Sequence, residues 1–187
     1  MAKQPTLENT PARSSGALLV QMVLTALMAA LVFAATYLLH IPVPGTQGGY
    51  ANMGDMVIFL AAVLLGNPWA AFAAALGSGL ADFLYGATAY ILPTVIIKGL
   101  MGFLCAALAK RDKPSLFRLG SFLGGIVMCG GYFLFEMLYF RVGEITGLAY
   151  ALNALPMNII QAAANIAAAW LLYKPVLALK KKLVKQQ

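Results

Sequence analysis

Charged residues are so sparse in this chain of 187 residues that they leave charge-free intervals over 14–54, 56–81, 83–97, 99–109, 119–135 and 145–173. A helix that crosses a bilayer needs roughly 20 mostly apolar residues, and intervals of that order recur here too often to be buried cores of a water-soluble fold. Only 10% of the residues are charged and 61% are hydrophobic, whereas about a quarter of a soluble domain is charged. Such a chain lacks the polar groups to cover a solvated surface. We read it as a compact polytopic membrane protein, all-α in class.

Six spans are expected, at about 16–40, 52–66, 68–84, 90–109, 118–140 and 152–178. The second and third are separated by Gly66, Asn67, Pro68 and Trp69, because Asn-Pro disfavours helical geometry before the proline and starts turns. Basic residues orient the whole. With both termini in the cytoplasm, the inner side carries eleven of the thirteen Lys and Arg residues; Arg141 lies outside and Lys98 within a span. Five spans would place at best nine against three, so six spans obey the positive-inside rule better. The net charge of +7 is concentrated at Lys110 to Arg118 and Lys174 to Lys185, beside apolar runs, which marks topology determinants and not a nucleic-acid surface. One domain therefore covers 1–187, with a cytoplasmic N-terminal tail at 1–15 and a basic cytoplasmic tail at 179–187. The first apolar run is too long for a secretory signal and is read as a retained helix. No internal repeat is visible.

Composition also restricts the chemistry. A single histidine, His40, cannot build a multi-histidine metal site, and Cys105 and Cys129 stand alone in apolar runs, as buried small hydrophobes do. No Ser or Cys has an evident His partner for nucleophilic catalysis. No G-x-x-x-x-G-K-[ST] sequence is present, so the chain should not hydrolyse ATP itself. Neither a metal nor another cofactor is expected.

The polar groups inside the spans are the candidates for function, since ionisable residues in a membrane normally face a cavity or a partner. Lys98 lies about eight residues into the fourth span, roughly 10 Å below its outer end, and Glu136 in the fifth span sits at a comparable depth. They either neutralise each other or flank a polar ligand. Asp82 ends the third span on the same side. Asp55 follows Asn52, Met53 and Gly54 at a helix start, which reads as an Asn cap with an acid in the first turn. Asn158, Gln161 and Asn165 fall at i, i+3 and i+7, one polar stripe on an Ala- and Ile-rich helix, near Asn153. Such amides either recognise a ligand or join helices. Tyr85, Tyr90, Tyr132, Tyr139 and Tyr150 fall near outer helix ends, as headgroup anchors or as surfaces for a flat ligand. The Pro- and Gly-rich segment 41–51 reads as a turn-rich outer loop, a lid or a plain linker, with Tyr50 packing back onto the helices. Ala26, Ala30 and Ala34 make a small-xxx-small ridge on the first span, along which another helix could approach closely.

From Gly49 to Gly102 the Asn-x-Gly-Asp start of span two, GSGLAD in span three and PTVIIKGLMG in span four resemble recurrent segments of the substrate-binding S components of energy-coupling factor (ECF) vitamin transporters. The Ala26, Ala30 and Ala34 ridge resembles the alanine motif by which S components dock on their coupling subunit. The resemblance implies a non-enzymatic subunit in a prokaryotic cell membrane. It would take a vitamin or precursor from outside and deliver it through a coupling transmembrane subunit and two ATPases. It further implies a ligand in the outer half, held by Tyr50, Lys98, Glu136, Tyr139, Asn158 and Gln161; our own reading adds Asp82. One cation, one anion, amides and tyrosines suit a small polar molecule, as a rule ring-bearing; pyridoxine-like compounds, hydroxymethylpyrimidine and pantothenate are the candidates, with riboflavin less favoured. A membrane scaffold subunit with six helices is the alternative.

Overall fold

The computed structural model describes residues 15–109, 112–140 and 146–185. Most of the N-terminal tail, with Lys3 and Arg13, therefore lies outside the described residues, as do Lys110, Arg111 and Arg141. The chain runs through α1 (Ser15–Leu38), β1 (His40–Pro42), β2 (Tyr50–Asn52), α2 (Gly54–Leu65), α3 (Trp69–Tyr85), a 3-10 turn (Thr88–Tyr90), α4 (Ile91–Ala109), α5 (Pro114–Tyr139) and α6 (Gly147–Lys185). The six helices coincide with the six expected segments, and the break between α2 and α3 falls at Gly66 to Pro68. Four of them, α1, α4 with its preceding turn, α5 and α6, are long and apolar enough to cross a membrane; α2 and α3 are shorter apolar helices.

The distribution of side chains is that of a protein solvated by lipid. Ala61, Ala70, Ala73, Ala74 and Ala81 are fully buried, whereas Leu19, Leu27, Phe72, Phe83, Phe122 and Leu171 point outward. Lipid tails are as apolar as leucine, so helix association depends on close backbone approach and interhelical hydrogen bonds more than on hiding large side chains. Gly77 shows how close: a Cβ there would stand 2.5 Å from the Ala29 carbonyl oxygen of α1. Helix α2 is enclosed, touching α1, α3, α4 and α6. Its residues Ile58, Phe59, Leu60, Ala61, Ala62 and Val63 are all buried, as expected of a helix that is apolar on every side.

Two boundaries differ from expectation. Segment 41–51 is largely a small antiparallel hairpin, in which Ile41 pairs with Ala51 and Pro42 with Tyr50; it adds a two-stranded element to an otherwise helical protein. Helix α6 begins at Gly147 and continues to Lys185, so residues 147–151 are helical and the basic stretch is a helix end, not an extended tail. There Lys180 Nζ lies 2.7 Å from Asp112 Oδ1, both partly exposed.

Candidate functional site

The hairpin closes over a polar cavity whose walls come from α1 (Thr36), α3 (Ser78, Asp82), the 3-10 turn (Tyr90), α4 (Thr94, Lys98), α5 (Tyr132, Glu136) and α6 (Asn158, Gln161), with Tyr50 and Asn52 from the hairpin itself. Little of it is free: about 30 Å³ is open to the centres of water-sized molecules, room for on the order of two waters.

Its floor is a connected hydrogen-bond network in which no buried side-chain atom is left without a partner. Lys98 Nζ lies 2.5 Å from Asp55 Oδ1, both residues nearly inaccessible at 2% and 1%. Gln161 Nε2 donates to Asp55 Oδ2 at 2.7 Å, and Gln161 Oε1 accepts from the Asn52 N–H at 3.0 Å. Asn165 donates to the Asn52 carbonyl at 2.8 Å and to the Gln161 carbonyl at 2.9 Å, and accepts from the Met56 N–H at 2.7 Å. This settles one alternative and adds to another reading. Lys98 pairs with Asp55 and not with Glu136. Asp55 is no mere first-turn acid, because short α2 starts beneath the hairpin and its first turn meets α4 at the level of Lys98. Asn52 does serve the helix start, accepting from the Gly54 N–H at 2.9 Å. Gly54 is obligatory there: a Cβ would fall 2.0 Å from Thr36 Oγ1.

The walls are different. Five buried side-chain atoms of cavity-lining residues make no hydrogen bond to any described residue: Thr36 Oγ1, Ser78 Oγ, Asp82 Oδ2, Glu136 Oε2 and Asn158 Nδ2. Each carboxylate has only one oxygen engaged by a phenol, Asp82 by Tyr50 and Glu136 by Tyr90 at 3.1 Å. Buried polar atoms are nearly always paired, so a concentration of unpaired ones around one cavity marks a place built to hold something else. Burial, and then the neighbouring Asp82 carboxylate, raise the pKa of the Tyr50 phenol above its ordinary value, which keeps it a donor.

Aromatic rings frame the outer end. Tyr90, Phe140 and Tyr150 are buried together, with Tyr50, Tyr85, Tyr132 and Phe135 packed against them. His40 and Tyr50 both pack on Tyr85, with ring centroids at 4.6 and 4.7 Å. The hairpin is fastened to α6 through Tyr150, whose hydroxyl accepts from the Gln47 N–H, and through Asn153, which donates to the Pro44 carbonyl at 2.9 Å.

Of the residues expected at the site, Tyr50, Asp82, Lys98, Glu136, Asn158 and Gln161 line the cavity together. Tyr139 does not: the last residue of α5, it is 61% exposed and stacks on Phe135 at 5.1 Å. Tyr90 and Tyr132, read equally as anchors, are cavity walls. Thr36, Ser78 and Thr94 were missed; isolated hydroxyls in apolar helices commonly satisfy themselves on the preceding turn and carry little signal. Ala26 and Ala30 face outward and Ala34 is half-buried, while Thr25, Met28, Ala29, Val32 and Thr36 of the same helix face the bundle. Among the described residues, no three His, Cys, Asp or Glu side chains gather as a metal site.

Residues 18–181 match the family described as ECF-type riboflavin transporter, S component. The chain belongs to that family. Among its relatives is the thiamine precursor transporter HmpT of Lactococcus lactis subsp. cremoris, 29% identical over 141 residues that cover 75% of this chain and 78% of the relative. An uncharacterized protein of Pyrococcus woesei is 42% identical over 102 residues, covering 54% of this chain and 68% of that protein. This S component is thus a membrane protein of a vitamin-uptake transporter family, whose members are transport subunits and not enzymes.

Proposed function

We propose that this S component captures a vitamin or vitamin precursor in the cavity beneath the hairpin and delivers it to a coupling transmembrane subunit driven by two ATPases. The observation that carries the reading is the set of five unpaired buried polar atoms around one cavity. A purely structural polar cluster pairs its members, as the floor of this one does. Tyr50, Asp82, Lys98, Glu136, Asn158 and Gln161 are the proposed ligand-site residues, with Gln161 and Lys98 holding the floor.

The proposed topology has six spans in the plasma membrane and both termini in the cytoplasm, so that the cavity opens outward. Support comes from the basic residues at the α5 start and the α6 end, together with the opposite position of the hairpin. Helix α2, about 18 Å long at 1.5 Å per residue, is too short to span alone, and β2 continues the chain across the level of the cavity. Admitting a ring-bearing ligand requires more space than the closed site offers, so the hairpin must lift. The outward face carrying Ala26 and Ala30 is the proposed docking ridge, where small side chains permit close helix approach.

Two measurements test this. Thermal unfolding of the purified protein against a panel of vitamins and precursors should show one compound raising the transition temperature, since a ligand stabilises by mass action. Ala30→Trp should abolish uptake in cells supplying the coupling module yet leave that stabilisation intact; loss of both together refutes the separation of binding from docking.

A further inference from the structure

Four ionisable side chains are buried at the cavity: Asp55, Asp82, Glu136 and Lys98, three acids and one base, each no more than 3% exposed. The base is already engaged. Lys98 lies on Asp55 Oδ1 and its ammonium stands 5.3 Å from the Tyr132 ring centroid, while Asp55's second oxygen is taken by Gln161. Asp82 and Glu136 face the cavity with no direct ion pair among the described residues, Lys98 acting on Asp82 only at longer range, and one oxygen of each has no hydrogen bond there.

A carboxylate oxygen offers only acceptor capacity, and its strongest hydrogen bonds are those in which the partner donates an N–H or carries positive charge. An incoming carboxylate would meet two further carboxyl groups and no free ammonium, and a charge buried without a counter-ion is costly. On the remaining wall Asn158 Nδ2 is a donor without a partner, on a residue only 8% exposed, and it calls for an acceptor on the same ligand. Thr36 and Ser78 hydroxyls complement either sense. Tyr50, Tyr90 and Tyr132 line the space with rings.

Resting on the reading of this cavity as a ligand site, we infer that it selects a compact nitrogen heterocycle that is neutral or cationic. Such a ligand presents N–H or O–H donors toward Asp82 and Glu136 and a ring acceptor toward Asn158, and compounds bearing a carboxylate are rejected. The selectivity lies in the pairing of Lys98 with Asp55, which removes the one cation that would otherwise welcome an anion.

Calorimetric titration of the full chain in detergent with hydroxymethylpyrimidine, pyridoxine, riboflavin and pantothenate tests it. Hydroxymethylpyrimidine, an aminopyrimidine with donor and acceptor edges, should bind at least about tenfold tighter than pantothenate. Glu136→Gln and Asp82→Asn, each close to isosteric, should each weaken it by about tenfold or more. Tighter binding of pantothenate or riboflavin than of the aminopyrimidine overturns the inference while leaving the transport reading in place. Unchanged aminopyrimidine affinity in both variants overturns it as well. If none of the four probes binds, the inference falls, and the transport reading falls with it only if the wider panel of vitamins and precursors also fails to stabilise the protein.

Discussion

The floor and the walls of the cavity are made of the same residue types and treat them in opposite ways. On the floor, Asp55, Lys98, Gln161 and Asn165 are each bonded to a neighbour on another element. On the walls, Asp82, Glu136 and Asn158 each keep a buried atom without a partner. Both belong to one enclosed space within a bundle whose lipid-facing surface is Leu and Phe. The difference teaches that polarity in a membrane bundle is not itself a functional mark. A saturated network fixes the position of α2, α4, α6 and the hairpin, while the unsaturated groups are held at a cost in stability that only a bound molecule offsets.

The sharpest way to break this contrast is to remove half of the floor's ion pair. Lys98→Met leaves Asp55 buried without its cation and should destabilise the protein by about 3–5 kcal/mol, seen as a large fall in thermal unfolding temperature in detergent. The double variant Asp55→Leu with Lys98→Met should recover most of that loss; equal instability of the single and double variants would show that the pair itself contributes net stability. Asn165→Ala comes next. It strips partners from the Asn52 carbonyl and the Met56 N–H and should cost about 2 kcal/mol, with ligand affinity falling only through loosened hairpin closure.

Asn158→Ala, three residues from Gln161, carries the smallest effect on folding. It removes an unpaired donor, so unfolding of the ligand-free protein should move by less than about 0.5 kcal/mol, while ligand affinity drops several-fold in titration. A stability loss as large as that of Asn165→Ala would erase the distinction between floor and wall.

Much of this was legible in the chain because the membrane imposes strong rules. Charge-free intervals fixed where helices lie, and Asn67 with Pro68 marked the break between α2 and α3. The i, i+3, i+7 spacing of Asn158, Gln161 and Asn165 put them on one face, which is the buried face. What spacing could not divide is that stripe's division of labour: Gln161 and Asn165 meet Asn52, Asp55 and Met56, more than a hundred positions away in sequence, and Asn158 meets none of them. Tyr139 was misplaced for a related reason: its i+3 and i+7 spacing from Glu136 and Tyr132 puts it near their side of α5, yet it is the last residue of that helix and stands exposed beyond the cavity.

The sequence by itself determined the solvent, the number and rough extent of the helices, and the short roster of polar groups available to a ligand, because a bilayer tolerates few such groups and only in enclosed places. The tertiary structure decided which of them are free. Lys98 could have met Glu136 or Asp55, and the choice follows from where short α2 begins beneath the hairpin and how closely Gly54 lets it approach α1. Pairing between distant segments depends on three-dimensional register, which no local pattern encodes, and it is that register which leaves two carboxyl groups facing the cavity and commits its one cation to Asp55.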